Sequence, residues 1–198
     1  MDNKRIIFPW VLLVLAAAFI GFGVYNLNRM PASPYPDIHG KFALRSIDGP
    51  VSSEDMLGKV GVIYFGYTHC PDVCPDTLLR IAAALKLLNP DERSKVFPVF
   101  ITTDPERDTP ELMAEYVHHF LGSHILGLSG SPEAIKAAAN SFLSGYQKER
   151  PDEKGKYVVT HASYIIIVRP DGSIGELLTH TSRPEDIADT IRHWLRWA

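Results

Sequence analysis

Cys70 and Cys74, the two cysteines of the chain, stand in the stretch VIYFGYTHCPDVCPDTL, Val62 to Leu78. A short apolar run, Val62 to Phe65, reads as a buried strand that stops at Gly66. The chain then passes through Tyr67, Thr68 and His69 and delivers both cysteines at the head of a predicted helix. Unsatisfied amides and the positive dipole end at a helix N-terminus favour thiolate over thiol. Thiolate is the form that binds a soft metal or attacks a disulfide. Residues at i and i+4 share one face of a helical turn, so the two sulfurs are close enough to hold one ion. They are also close enough to close a disulfide, so metal loading depends on their being reduced.

A third group comes from Thr160-His161, directly before the apolar run Ala162 to Val168. Two sulfurs and one imidazole form a soft donor set that selects Cu(I), and mixed thiolate–imidazole sets also hold Cu(II). Zinc ordinarily takes a fourth ligand, which the sequence does not plainly supply.

Strands and helices alternate around these groups. Phe42 to Ile47 alternates and turns at Asp48-Gly49, and Ser52 or Ser53 caps a short turn through Met56. The helix after the cysteines runs from about Cys74 to Leu88, with Leu78, Ile81, Ala82, Leu85 and Leu88 at helical spacing, and Asn89-Pro90 ends it. Val96 to Thr103 is a second buried strand running into DPERDTPE, Asp104 to Glu111. Asp108 or Thr109 caps the next helix, Glu111 to Leu121, with Pro110 at its first position. Ile125 to Leu128 reads as a short strand, and a helix from Pro132 to about Phe142 follows the cap Ser131. The charged segment Gly145 to Thr160 reads as a surface excursion. Ala162 to Val168 turns at Pro170-Asp171-Gly172 into Ile174 to Thr179, and Pro184 to Trp197 closes the chain as an amphipathic helix. This order predicts an α/β fold, a thioredoxin-like three-layer α/β/α sandwich. In that fold the loop before the third strand usually carries a cis-proline facing the cysteine turn; here a histidine stands in its place.

Composition sets the class and the compartment. With 198 residues, 45% hydrophobic and 22% charged, the chain holds one globular domain and an appendage. A formal net charge of -3 offers no basic footprint for nucleic acid. Lys4 and Arg5 precede Ile6 to Val24, a charge-free run that spans about 28 Å as a helix at ~1.5 Å per residue, near bilayer thickness. The organisation expected is a cytoplasmic N-terminus over 1–5, a transmembrane anchor over 6–25, a Pro-rich linker over 26–37 and the sandwich over 38–198. The positive charges before the span place the domain on the far, oxidising side of the membrane.

With these motifs in place, the chain resembles the Sco/SenC family, membrane-tethered copper proteins of thioredoxin fold that serve cytochrome c oxidase assembly. The matching pieces are FGYTHCPDVCP (Phe65 to Pro75), TDPERDTPE (Thr103 to Glu111) and THASYIIIVRPDG (Thr160 to Gly172), and the likeness covers essentially the whole chain. The resemblance implies that Cys70, Cys74 and His161 are copper ligands. It also implies that the protein delivers copper to the CuA-bearing subunit of the oxidase, or another copper acceptor, from a single-pass inner-membrane position with its domain in the periplasm. Its alternative role is reduction of the acceptor's cysteines through the redox pair Cys70 and Cys74. The family often has an acidic residue where this chain has Arg169, so no role carries over to that position.

Plainer readings account for other candidates. His69 reads as pointing away from the face that the thiolates share. Asp104 and Asp108 read as caps and loop braces, and Asp72 reads equally as a turn residue or a modulator of thiolate charge. His118, His119 and Glu115 read as a solvated helix face, and Tyr64, Tyr67 and Tyr164 as core or rim aromatics. A thiol peroxidase of the same fold would show a TxxC setting with an activating arginine, which is not evident here.

Overall fold

The computed structural model describes residues 4–27, 34–35, 38–120, 124–153 and 157–198, with side chains of the first helix described from Trp10 to Tyr25. The chain divides into two compact units, Met1–Ala32 and Ser33–Ala198.

The first unit is helix α1 (Lys4–Leu27). Its described side chains, Trp10 to Tyr25, are apolar all round and almost all exposed, Trp10, Leu13, Val14, Phe19 and Ile20 among them. Among the described residues no helix is long and apolar enough to cross a membrane. The expected span is therefore not met there; the charge-free run begins at Ile6, ahead of the described side chains. Most of the expected linker over 26–37 lies outside the described residues.

The second unit opens with the hairpin β1 (Ala43–Ser46) and β2 (Gly49–Ser52) and a tight helical turn, Ser53–Met56, capped by Ser52. Then come β3 (Val60–Gly66), α2 (Val73–Leu87), α3 (Pro90–Ser94), β4 (Val96–Thr102), α4 (Pro110–His118), β5 (Leu126–Leu128) and α5 (Pro132–Ser141). The last elements are β6 (Tyr146–Lys148), β7 (Val159–His161), β8 (Tyr164–Val168), β9 (Ile174–Thr179) and α6 (Pro184–Leu195).

The main sheet has the order β5-β4-β3-β8-β9, with β5, β4 and β3 parallel and β8 and β9 antiparallel. The central strand β3 is buried at every position, which is why its sequence is a continuous apolar run instead of an alternation. Ile63 and Phe65 face a core shared with Phe42, Leu44, Val99, Ile101, Ile135, Phe142 and Ile166 under α5 and the hairpin. Each such side chain contributes about 1.5–3 kcal/mol by its burial. Tyr64 and Phe100, opposite one another in register, stack on the other face with ring centroids 5.9 Å apart. Buried residues of α2 and α6, including Leu78, Ile81, Ile187 and Ile191, lie against each other, and Trp194 of α6 lies beside Gly175. The result is the thioredoxin-like sandwich that the order of elements predicts.

Caps explain where the helices begin. Thr109 accepts from the Leu112 amide and Ser131 from the Ala134 amide, each with proline next in line. Three features depart from expectation. Asn89 and Glu92 form a capping box that starts the short helix α3 after α2 has ended. Part of Gly145 to Thr160 is ordered as a two-stranded ribbon, β6 against β7, in which Tyr146 lies opposite His161. His161 therefore ends a strand of its own, and the third sheet strand begins only at Tyr164.

Candidate metal centre

The cysteine turn is built where β3 hands over to α2. A Cβ at Gly66 would lie 2.7 Å from Cys74 Sγ and 2.9 Å from the Phe100 ring. The strand must end in a residue without a side chain for the sulfur to lie against it. The Cys70 amide donates to the Tyr67 carbonyl at 3.3 Å, which turns the chain back toward the helix. Asp72, at the N-cap position of α2, makes no side-chain cap bond. Instead the Cys74 amide donates to Cys70 Sγ at 3.5 Å. A sulfur thus occupies the place of a capping oxygen, where a negative charge is stabilised.

The two thiols differ accordingly. The hydrogen bond from Cys74 is the largest influence on Cys70 and, with the amides of Cys74 and Asp72, holds this half-buried thiol down at about 5 despite partial burial. The same bond, together with burial, pushes the Cys74 thiol well above the ordinary range. Cys70 is the member of the pair that ionises first. Tyr64, buried in the core, keeps its proton because burial and the neighbouring Cys74 raise its pKa, and its hydroxyl donates to Cys74 Sγ at 3.8 Å.

His161 comes in from β7. Its Nδ1 donates to the Ala162 carbonyl at 3.2 Å, which leaves Nε2 with its lone pair toward Cys74 Sγ, 3.6 Å away. Burial lowers its pKa, so the ring is the neutral, ligand-competent form at pH 7. Tyr64 and Tyr67 meet the ring edge-on, with centroids 6.2 and 6.3 Å away. A thiolate and an imidazole bound to one ion at about 2.3 and 2.0 Å in tetrahedral geometry lie about 3.5 Å apart, so this pair, at 3.6 Å, is spaced close to what two ligands would be. Among the described residues, no group of three His, Cys, Asp or Glu side chains is drawn together as a complete metal-holding set. Cys70 Sγ rests on the Cys74 amide.

The DPERDTPE turn braces both arms of the site. Asp108 is fully buried. Its carboxylate accepts from the Thr68 amide at 3.0 Å, the Thr68 hydroxyl at 2.6 Å and the Thr102 hydroxyl at 2.7 Å. That fixes the cysteine turn from one side. Asp104 is ion-paired with Arg107 and accepts from the Tyr157 hydroxyl at 2.9 Å. The Arg107 guanidinium lies 3.8 Å from the centre of the Tyr157 ring and 5.9 Å from that of Tyr67. The chain segment carrying β7, and with it His161, is pinned to the same turn. Asp104 and Asp108 are the braces expected of them. Nothing local in the sequence points to Tyr157 or Thr68, whose partners Asp104 and Asp108 are distant along the chain, or to the contacts of Arg107 with the Tyr157 and Tyr67 rings. Tyr64 could have been found: two residues before Gly66 in a strand, it shares the glycine's face and so looks toward Cys74. His118 and His119 lie at the end of α4, where His119 Nδ1 meets the Glu115 carbonyl at 2.7 Å.

Fold and site together define a thioredoxin-like domain whose dithiol turn is faced by a histidine. The SCO1/SenC family model matches residues 31–196, and the chain belongs to that family. It is 38% identical over 195 residues to Protein sco1 of Schizosaccharomyces pombe, covering 91% of this chain and 74% of that one. It is 40% identical over 142 residues to Protein SCO1 homolog 1, mitochondrial, of Arabidopsis thaliana; the match covers 71% of this chain but spans only 42% of that relative's length. The structure of Bradyrhizobium japonicum ScoI with copper bound superposes with a TM-score of 0.73 at 36% identity, covering 80% of this chain and 99% of that one. Arabidopsis thaliana ScoI with copper bound gives 0.69 at 35%, covering 79% and 97%.

Proposed function

We propose that this protein is a copper metallochaperone that holds the ion through Cys70, Cys74 and His161 and passes it to the CuA-bearing subunit of cytochrome c oxidase. The observation that carries the reading is the spacing of Cys74 Sγ and His161 Nε2 at 3.6 Å beside a second thiol. The donor set fits the cargo: two soft sulfurs and one imidazole suit Cu(I) over harder ions. Two of its relatives of known structure were solved with copper bound. Cys70 meets the ion already ionised, Cys74 releases its proton as it binds, and His161 contributes a nitrogen that needs no deprotonation. Rotation of the Cys70 side chain off the Cys74 amide completes the set.

The chain works from a membrane in this reading. Over its described side chains, Trp10 to Tyr25, helix α1 is apolar on every side, which suits a lipid environment, and Lys4 and Arg5 favour a cytoplasmic start with the domain on the periplasmic side of the inner membrane.

A second reading, thiol–disulfide exchange, is favoured by the asymmetry of the thiols. A half-exposed, low-pKa Cys70 thiolate attacks a disulfide of the acceptor and forms a mixed disulfide. Cys74 then attacks Cys70, releasing the acceptor as a dithiol and leaving this chain oxidised by two electrons.

One experiment separates the two. The reduced protein is titrated with Cu(I) against a chelating competitor, in parallel with its rate of reducing a disulfide substrate. Wild type takes up one copper per chain, and Cys74→Ser abolishes uptake. His161→Ala weakens it at least about tenfold while dithiol exchange continues. Failure of the reduced protein to bind copper defeats the metallochaperone reading.

A further inference from the structure

His69, the residue before Cys70, stands outside the three-ligand set, with its side chain 52% exposed. Its hydrogen bonds are nonetheless those of a metal ligand. The Thr68 hydroxyl has one proton, which it donates to Asp108 Oδ1 at 2.6 Å. Thr68 Oγ1 also lies 2.9 Å from His69 Nδ1, and in that contact the oxygen can only accept. Nδ1 therefore carries the proton of the neutral ring, with the buried Asp108 carboxylate 3.8 Å beyond it. Nε2 is left with the lone pair. Metal-bound histidines are held this way, the far N–H given to a carboxylate or to an oxygen that relays to one. His161 shows the same arrangement through the Ala162 carbonyl. His119 also has its Nδ1 on a carbonyl oxygen, but it sits on α4, away from either cysteine in the sequence. Among the described residues, His69 alone combines the relay, solvent exposure and a thiol as its chain neighbour.

We propose that His69 is an outer copper ligand, used together with the half-exposed Cys70 while the ion enters or leaves the inner pair Cys74 and His161. This rests on the copper-binding reading of that site. The exchange moves no electrons, and Cu(I) remains Cu(I). On entry, the bond between copper and its donor chelate breaks as bonds to Cys70 Sγ and His69 Nε2 form. The His69 bond then breaks as bonds to Cys74 Sγ and His161 Nε2 form, and the Cys74 proton passes to solvent. Exit runs in reverse. A ligand used in passage but absent from the final set speeds entry and exit by the same factor, so it changes rates and leaves equilibrium affinity where it was.

The test uses the reduced 198-residue chain and stopped-flow exchange of Cu(I) with its bicinchoninate complex, in both directions, beside equilibrium titration. Two substitutions separate ligation from loop support. His69→Asn keeps an N–H for Thr68 and removes the ligand nitrogen. His69→Met gives up that hydrogen bond but supplies a thioether that binds Cu(I). Asparagine should slow both uptake and release about tenfold with the affinity unchanged, and methionine should restore both rates. Exchange at wild-type speed in His69→Asn overturns the proposal. So does a rate in His69→Met as slow as in His69→Asn, which would mark His69 as a support for the turn. A weaker affinity in His69→Asn at an unchanged uptake rate overturns it too, by making His69 a resident ligand. If the wild-type chain takes up no copper, the reading of the inner site falls and this inference falls with it.

Discussion

Cys70 and Cys74 are the same residue type in one helical turn, yet the structure gives them opposite properties. Cys70 is half-exposed at the head of α2, with a thiol held down at about 5 chiefly by its hydrogen bond with Cys74. Cys74 is buried against Gly66 and Tyr64 and held up by the same bond. Thiolate is the reactive form, so the alkylation rate follows its fraction. In the reduced, metal-free protein, iodoacetamide should modify Cys70 alone, at a rate that rises with pH through about 5 and is flat above 7. An ordinary thiol rises through about 8.5. Mass spectrometry of the alkylated peptide over pH 4 to 9 reads both the site and the midpoint, and a midpoint near 8.5 would refute the asymmetry. The sequence shows that both thiols stand at a helix N-terminus. Only part of the cover over Cys74 is legible there: Tyr64 on β3 shares the face of Gly66, whereas the ribbon that brings His161 on β7 against the sulfur has no local signal.

At the scale of elements, three segments distant in sequence converge on one end of the sheet. β3 ends in the cysteine turn, β4 ends in the DPERDTPE turn, and the β6–β7 ribbon brings His161. Legibility differed among them. The strands and capped helices were readable because apolar period and cap residues are local signals. The ribbon was not, since its charged sequence carries no apolar alternation and Tyr157 is anchored by Asp104 and Arg107 from another loop. The function of Asp108 was readable only as bracing, while its partners, Thr68 and Thr102, emerge from the register that places Gly66 beside Thr102. Asp108→Ala leaves the Thr68 amide and two hydroxyls without their acceptor in a buried place. Each orphaned donor costs about 1–3 kcal/mol. The variant should lose at least about 2 kcal/mol of stability in urea unfolding, and amide exchange at Thr68 should accelerate. An unchanged midpoint with slow exchange at Thr68 would show that the turn holds without the carboxylate.

At the scale of the molecule, the two units obey different physical rules. Ser33–Ala198 has its own apolar core, built from both faces of a five-stranded sheet and closed by α2, α5 and α6. Each of the candidate ligands, and every brace named for them, lies inside that unit. Over its described side chains, Trp10 to Tyr25, helix α1 shows no polar face to turn toward water, since Trp10, Leu13, Val14, Phe19 and Ile20 are all exposed. A helix of this kind is stable in lipid or against other apolar surface, not alone in water. Membrane attachment and metal binding should therefore separate cleanly. A chain beginning at Ile38 should remain in the supernatant after high-speed centrifugation of lysed cells, while the full chain sediments with membranes and resists extraction by high salt. Salt resistance matters, because a contact made through Lys4 and Arg5 alone would be screened at about 1 M salt, where the Debye length is ~3 Å. The shortened chain should keep copper affinity within about twofold of the full chain, since the candidate ligands and their braces all belong to the unit that is kept. Loss of copper binding on shortening would mean that the N-terminal unit takes part in the site. A full chain released by salt would mean that α1 is held by charge and not by its apolar surface.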